Sequence, residues 1–132
     1  MRDRLVEAAT EWLHEQIRKY YWGFALNESL SFEEMKQSHF QGIRPAVGYP
    51  SLPDQSIIFE VEKLLPMQEV GISLTENGAM NPSSSICGFV FAHPQSRYFR
   101  IGQVSRSQFI EYANRRGISC ERLEKFIGLE IV

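Results

Sequence analysis

An α+β fold, a twisted antiparallel sheet flanked by helices, is what this 132-residue sequence predicts. Three observations point there. Helical periodicity is confined to the two ends and one central stretch, the β-prone segments follow one another between them, and helix and strand signals do not alternate as a parallel α/β sheet requires. With 43% hydrophobic and 12% aromatic residues the chain has the apolar mass for one compact domain, and residues 1–132 are read as a single domain.

The opening helix is carried by Leu5, Ala8, Ala9, Trp12, Leu13 and Ile17 at helical spacing, with Arg4, Glu7, Glu11, Glu15 and Arg18 largely on other faces. Asp3 is placed to cap it. The aromatic connector Tyr20–Leu30 holds Gly23 and an Asn-Glu-Ser turn signal, and its aromatics, lacking basic residues between them, are expected in the core rather than on a stacking platform. Ser31 and Glu34 form a capping box for a short second helix. From Gln41 to Pro53 the glycines and prolines forbid a regular element, which leaves a long ordered loop. Asp54 or Ser56 starts a third helix that Pro66 closes. Gly71–Thr75, Ser85–Ala92 and Arg97–Val104 read as strands. Ser105 with Gln108 caps the next helix, Gly117 stops it, and Ser119 caps the last.

Charge and motif content exclude several functions. The net charge is −2 with acidic and basic residues interspersed, which argues against a nucleic-acid partner. Cys87 and Cys120 stand far apart without a CxxC, and His14, His39 and His93 lack ligand or triad spacing, so no metal site and no catalytic residue is assigned. Phosphate-binding glycine loops, the GxSxG elbow and HExxH are absent from the sequence. An N-terminus charged from its second residue and the lack of a long apolar run predict a cytoplasmic protein with no membrane contact.

The segment GIRPAVGYP is the most informative. Arg44 offers a planar fork for a carboxylate, Pro45 and Pro50 stiffen the loop, Gly48 leaves backbone bare for a ligand, and Tyr49 adds a flat apolar face. A small zwitterion carrying an aromatic ring suits that set, as does a purely structural loop whose arginine meets a surface carboxylate. In FAHPQSRYFRIG, Tyr98 and Phe99 stand at a strand start, where neighbouring side chains face opposite ways. Glu76 in LTENGAM is an acceptor or a solvated carboxylate.

Together LHEQIRKYYWGFALNESLSFEE, FQGIRPAVGYPSLPD, LTENGAM, GFVFAHPQSRYF and YANRRGISCERLEKFI resemble, in order, the C-terminal half of the activation domain of cobalamin-dependent methionine synthase. Arg44, three residues, then Gly48-Tyr49 is the signature. The resemblance implies binding of S-adenosylmethionine on an α+β fold and presentation of its methyl group to cobalamin, which a partner would carry. Arg44 would meet the methionyl carboxylate, Ala46, Gly48 and Tyr49 would lie along the adenosine, Tyr98 and Phe99 would contact the ligand, and Glu7 would lie near it. The implied partner is a corrinoid-bearing methionine synthase without its own activation domain, with flavodoxin or a flavoprotein reductase supplying electrons. Leu52, Gln55, Asn81 and Ser38 replace residues usual in the family, and the family's N-terminal half, which supplies an acid to the ligand's amino group, is expected to be missing. Service to another corrinoid methyltransferase, or a scaffold for a corrinoid protein without ligand binding, are the alternative functions.

Overall fold

The computed structural model describes residues 2–132. Helix α1 spans Arg2–Gln16 and runs into a π-helical turn, Ile17–Tyr21. After it come α2 (Phe32–Lys36), α3 (Ile57–Leu64), a 3₁₀ turn (Met67–Val70), β1 (Ser73–Leu74) and β2 (Met80–Asn81). The chain closes with β3 (Gln103–Val104), α4 (Arg106–Arg116), α5 (Cys120–Glu124) and β4 (Glu130–Ile131). The α+β class is as expected, with strand pairing shorter than the sequence suggests. β1 and β2 pair antiparallel, β3 and β4 pair parallel, and Ser85–Ala92 pairs only through isolated antiparallel bridges at Gly88 and Phe91. Apolar strand composition sets a tendency, and a ladder needs a neighbouring backbone along its whole length.

Contacts divide the chain into two compact units, one of Met1–Arg44 with Phe89–Tyr98, the other of Pro45–Gly88 with Phe99–Val132. The first unit has an unusual interior. The only buried residue of α1 is His14, and the π turn buries Arg18, which meets Glu28 through two bonds of 2.8 and 2.6 Å and lies 4.3 Å from the Phe40 ring centroid. The widened turn, closed by Trp22 N–H donating to the Ile17 carbonyl at 3.0 Å, is the local departure from α geometry at this buried arginine. Because polar groups take the inner positions, the aromatics expected in the core lie outside. Trp12, Tyr20, Tyr21 and Trp22 are all exposed, and Phe24 is half-buried with its ring edge-on to Trp22. Asp3 sits within the first turn of α1 rather than at its cap, where its charge still complements the helix dipole.

The second unit buries two apolar clusters beside the polar pair Asp54 and Ser56. Val47, Ile58, Val61 and Met67 form one cluster, and Phe109, Ala113 and Leu123 another. Complete burial of Ile58 contributes about 1.5–3 kcal/mol by the hydrophobic effect. Capping follows the sequence. Ser31 with Glu34 and Ser105 with Gln108 close reciprocal boxes, Ser119 accepts from Arg122 N–H, and Gly117 adopts the left-handed conformation that ends α4. At α3 the cap differs. Ser56 precedes the helix without capping it, and Asp54 accepts from both the Ser56 N–H (2.8 Å) and its hydroxyl (2.6 Å).

Candidate functional site

Arg44 lies at the end of the first unit's long segment and is held from four sides. Its Nη1 is 3.0 Å from Nδ1 of His14, its Nη2 pairs with the Glu11 carboxylate, its backbone N–H donates to the Tyr98 hydroxyl at 2.9 Å, and its guanidinium carbon lies 5.7 Å from the Phe40 ring centroid. Helical spacing explains two of these contacts. Glu11 and His14 are three residues apart on α1 and therefore share a face. The antiparallel bridge between Ile43 and Phe91 fixes the backbone beside Arg44, and a side chain at Gly42 would collide with the Phe91 carbonyl, so the two segments approach closely only with glycine there.

His14 fixes the direction of the hydrogen bonding. Guanidinium groups only donate, so Nδ1 accepts and the imidazole proton resides on Nε2, which has no partner among the described residues. Burial, with the neighbouring charges of Arg18 and Arg44, holds the His14 pKa down to about 3. The imidazole is therefore neutral at physiological pH and serves as a fixed acceptor that aims Arg44. Glu11 is the opposite kind of partner. It is 54% exposed, whereas the Arg44 side chain is 21% exposed, so the cation is anchored and the anion is free to swing away.

In the second unit the loop after Arg44 forms a tight double turn. Gly48 N–H donates to the Leu52 carbonyl (2.9 Å), Leu52 N–H to the Tyr49 carbonyl (2.7 Å) and Tyr49 N–H to the Ala46 carbonyl (3.3 Å). Val47 N–H donates to the Cys87 carbonyl at 3.0 Å and its side chain enters the core, which leaves Tyr49 exposed on the outer side. Gly48 has φ +85°, and a Cβ there would run into the Gln55 amide, which donates to the Gly78 carbonyl at 2.7 Å. Gly48 thus accommodates a protein side chain at this position. Phe99 is tethered through its backbone, its N–H donating to the Ser51 hydroxyl (3.1 Å) and its carbonyl accepting from it (2.8 Å), while its ring stays exposed.

Of the residues assigned from sequence, Arg44 and Tyr98 are brought together in the first unit, and Ala46, Gly48, Tyr49 and Phe99 belong to the second. Glu7 is exposed and, among the described residues, has no ionic partner; the acid at Arg44 is Glu11, one helical turn later. Sequence reasoning missed both Glu11 and His14. The three-residue spacing on an amphipathic helix was the available signal, but nothing in it says which helix face meets a loop thirty residues away. Glu76 is exposed in the turn between β1 and β2, where the structure gives it no role.

The family whose description is the vitamin B12 dependent methionine synthase activation domain matches residues 1–117. The chain belongs to that family. Among solved structures, the MetH reactivation domain bound to AdoHcy is similar at 45% identity over 94% of this chain, with a TM-score of 0.88. This chain spans 38% of the length of that one. The activation-domain fold thus extends over nearly all of the residues described above. No helix among the described residues is long and apolar enough to cross a membrane.

The second unit also holds a cleft of about 420 Å³, bordered by Asp54, Ile57, Ile101, Val104, Tyr112 and Arg115, which no sequence motif marked. Asp54 is fully engaged at its edge. Besides Ser56 it accepts from the Tyr112 hydroxyl at 2.7 Å and lies 3.4 Å from Nε of Arg116. Burial and the facing Asp54 carboxylate push the Tyr112 phenol up to about 12.

Proposed function

We propose that this activation-domain chain binds S-adenosylmethionine and supports reductive remethylation of cobalamin carried by a separate methionine synthase protein, acting in trans as one cytoplasmic module. The observation that carries the reading is Arg44, whose guanidinium is held by His14 and whose backbone is held by the Tyr98 hydroxyl, with a carboxylate already on its outer edge, in a chain 45% identical over its match to an AdoHcy-bound domain. A group so held is suited to the bidentate recognition of a methionyl carboxylate. Ala46, Gly48 and Tyr49 would follow the adenosine, Tyr98 and Phe99 would contact the ligand, and Glu7 would stand close by.

Cobalamin in the partner would supply the nucleophile and accept the methyl group, with electrons from flavodoxin or a flavoprotein reductase. The residues of this chain would bind and orient the ligand, with Arg44 at its amino-acid end, and no proton leaves the ligand in such a transfer. Incubation with S-adenosylmethionine, reductant and a corrinoid-bearing methionine synthase should produce the methylcobalamin spectrum. Equal remethylation without this chain would reject the role.

A scaffold reading is favoured by one observation, the Gln55 amide packed where a side chain on Gly48 would stand. That contact covers backbone the ligand was expected to use. Calorimetric titration with S-adenosylhomocysteine separates the two readings, since a pure scaffold releases no heat of binding.

A further inference from the structure

The Arg44–Glu11 pair has the charge pattern of an amino-acid zwitterion in mirror image. An α-amino acid carries its carboxylate and ammonium one carbon apart, so whichever protein cation receives the carboxylate needs an acid immediately beside it for the ammonium. Among the described residues of the first unit, Glu28 is buried against Arg18, Glu15 pairs with Lys19 at 3.4 Å, and Glu11 is the acid that touches Arg44. Its carboxylate is the more exposed member of the pair, on a helix whose backbone is fixed through buried His14.

We infer that Glu11 is the ammonium acceptor of this chain: on binding, the ligand's carboxylate replaces Glu11 on Arg44, and the released Glu11 takes the ligand's ammonium. The inference rests on the adenosyl-ligand reading above and gives it an acid from within the chain. Both charges keep a partner at every stage, so the exchange avoids the cost of leaving Arg44 unpaired beside two aromatic or imidazole rings. Glu11 also keeps Arg44 oriented while no ligand is present. It is a specificity-determining residue, because a ligand that carries a carboxylate but no ammonium displaces Glu11 and returns nothing to it.

The test is calorimetric titration of the wild type, Glu11→Gln, Glu11→Asp and Glu7→Gln with S-adenosylhomocysteine and its desamino analogue, with matched thermal unfolding to confirm folding. The wild type should prefer the zwitterion by about tenfold or more, Glu11→Gln should bind both within about twofold, and Glu11→Asp should keep part of the preference. A preference that persists in Glu11→Gln, or that vanishes in Glu7→Gln instead, overturns the assignment. Equal strengthening of both ligands by Glu11→Gln, with the preference intact, would make Glu11 a competitor for Arg44 only and also overturn it. If neither ligand binds any of the four proteins, the adenosyl-ligand reading itself has failed, an outcome distinct from a preference that ignores Glu11.

Discussion

The Arg44–Glu11 pair of the first unit and the Arg116–Asp54 pair of the second are built in opposite ways. At Asp54 the anion is the buried member, 3% exposed at its side chain, and Ser56, Tyr112 and Arg116 all converge on it. At Arg44 the cation is anchored by His14 and Phe40, with the backbone N–H held by the Tyr98 hydroxyl, while Glu11 stands largely in solvent. A closed centre of the first kind holds a structure together, because removing one member strands the others without water. The open pair can exchange its anion at low cost, since solvent screens the leaving carboxylate. The difference suits Asp54 to holding structure and Arg44 to exchanging its partner.

The largest expected effect breaks the closed pair. Asp54→Ala should cost about 3 kcal/mol of folding stability, because the partly buried Arg116 and Tyr112 lose their shared acceptor. Chemical denaturation measures it, and a loss no larger than that of a surface substitution would mean that the centre is not structural. Next comes the pH dependence of His14. The unfolded imidazole takes up a proton near pH 6.5 whereas the folded one resists until about pH 3, so the unfolded state binds more protons throughout that window. His14 stability is fully present above about pH 6.5 and is lost as pH falls toward 3, by at most about 1.4 kcal/mol per pH unit. His14→Gln should flatten that part of the stability profile; an unchanged slope would show that His14 is not held neutral. Tyr112→Phe removes one of the bonds to Asp54 and should cost about 1 kcal/mol, leaving ligand affinity untouched. A change in affinity at that position would mean that the two centres are not separate.

How much of this was legible in the sequence follows from how local each signal is. Ser31–Glu34, Ser105–Gln108, Ser119 and Gly117 do what their spacing says, because capping is settled within four residues. Ile58 on α3 and Phe109 on α4 enter the core from their helices, whereas Val47 enters it from a loop where no periodicity marks it. The strands were less legible, since Ser85–Ala92 has the composition of a strand but pairs only at two points, and pairing is a property of two segments. The exposed aromatics from Tyr20 to Trp22 escaped for a related reason: the buried positions beside them are filled by Arg18 and His14, polar residues whose partners, the Glu28 carboxylate and the Arg44 guanidinium, lie outside the helix. Arg44 is singled out in the sequence by its own chemistry and its family pattern. Glu11 needed the fold, because an acid one turn away, Glu7, looks equivalent on the helix and only contact with Arg44 separates them.

Titration of wild type, Arg44→Ala and Arg44→Lys with S-adenosylhomocysteine asks whether the Arg44 guanidinium receives a ligand carboxylate. Loss of a charge-assisted pair of bonds corresponds to about 1.5–3 kcal/mol, so Arg44→Ala should bind roughly ten to a hundred times more weakly. Arg44→Lys should recover little, because a single ammonium cannot span His14 and a carboxylate as the planar fork does. Equal affinity in the wild type and Arg44→Ala would contradict the account.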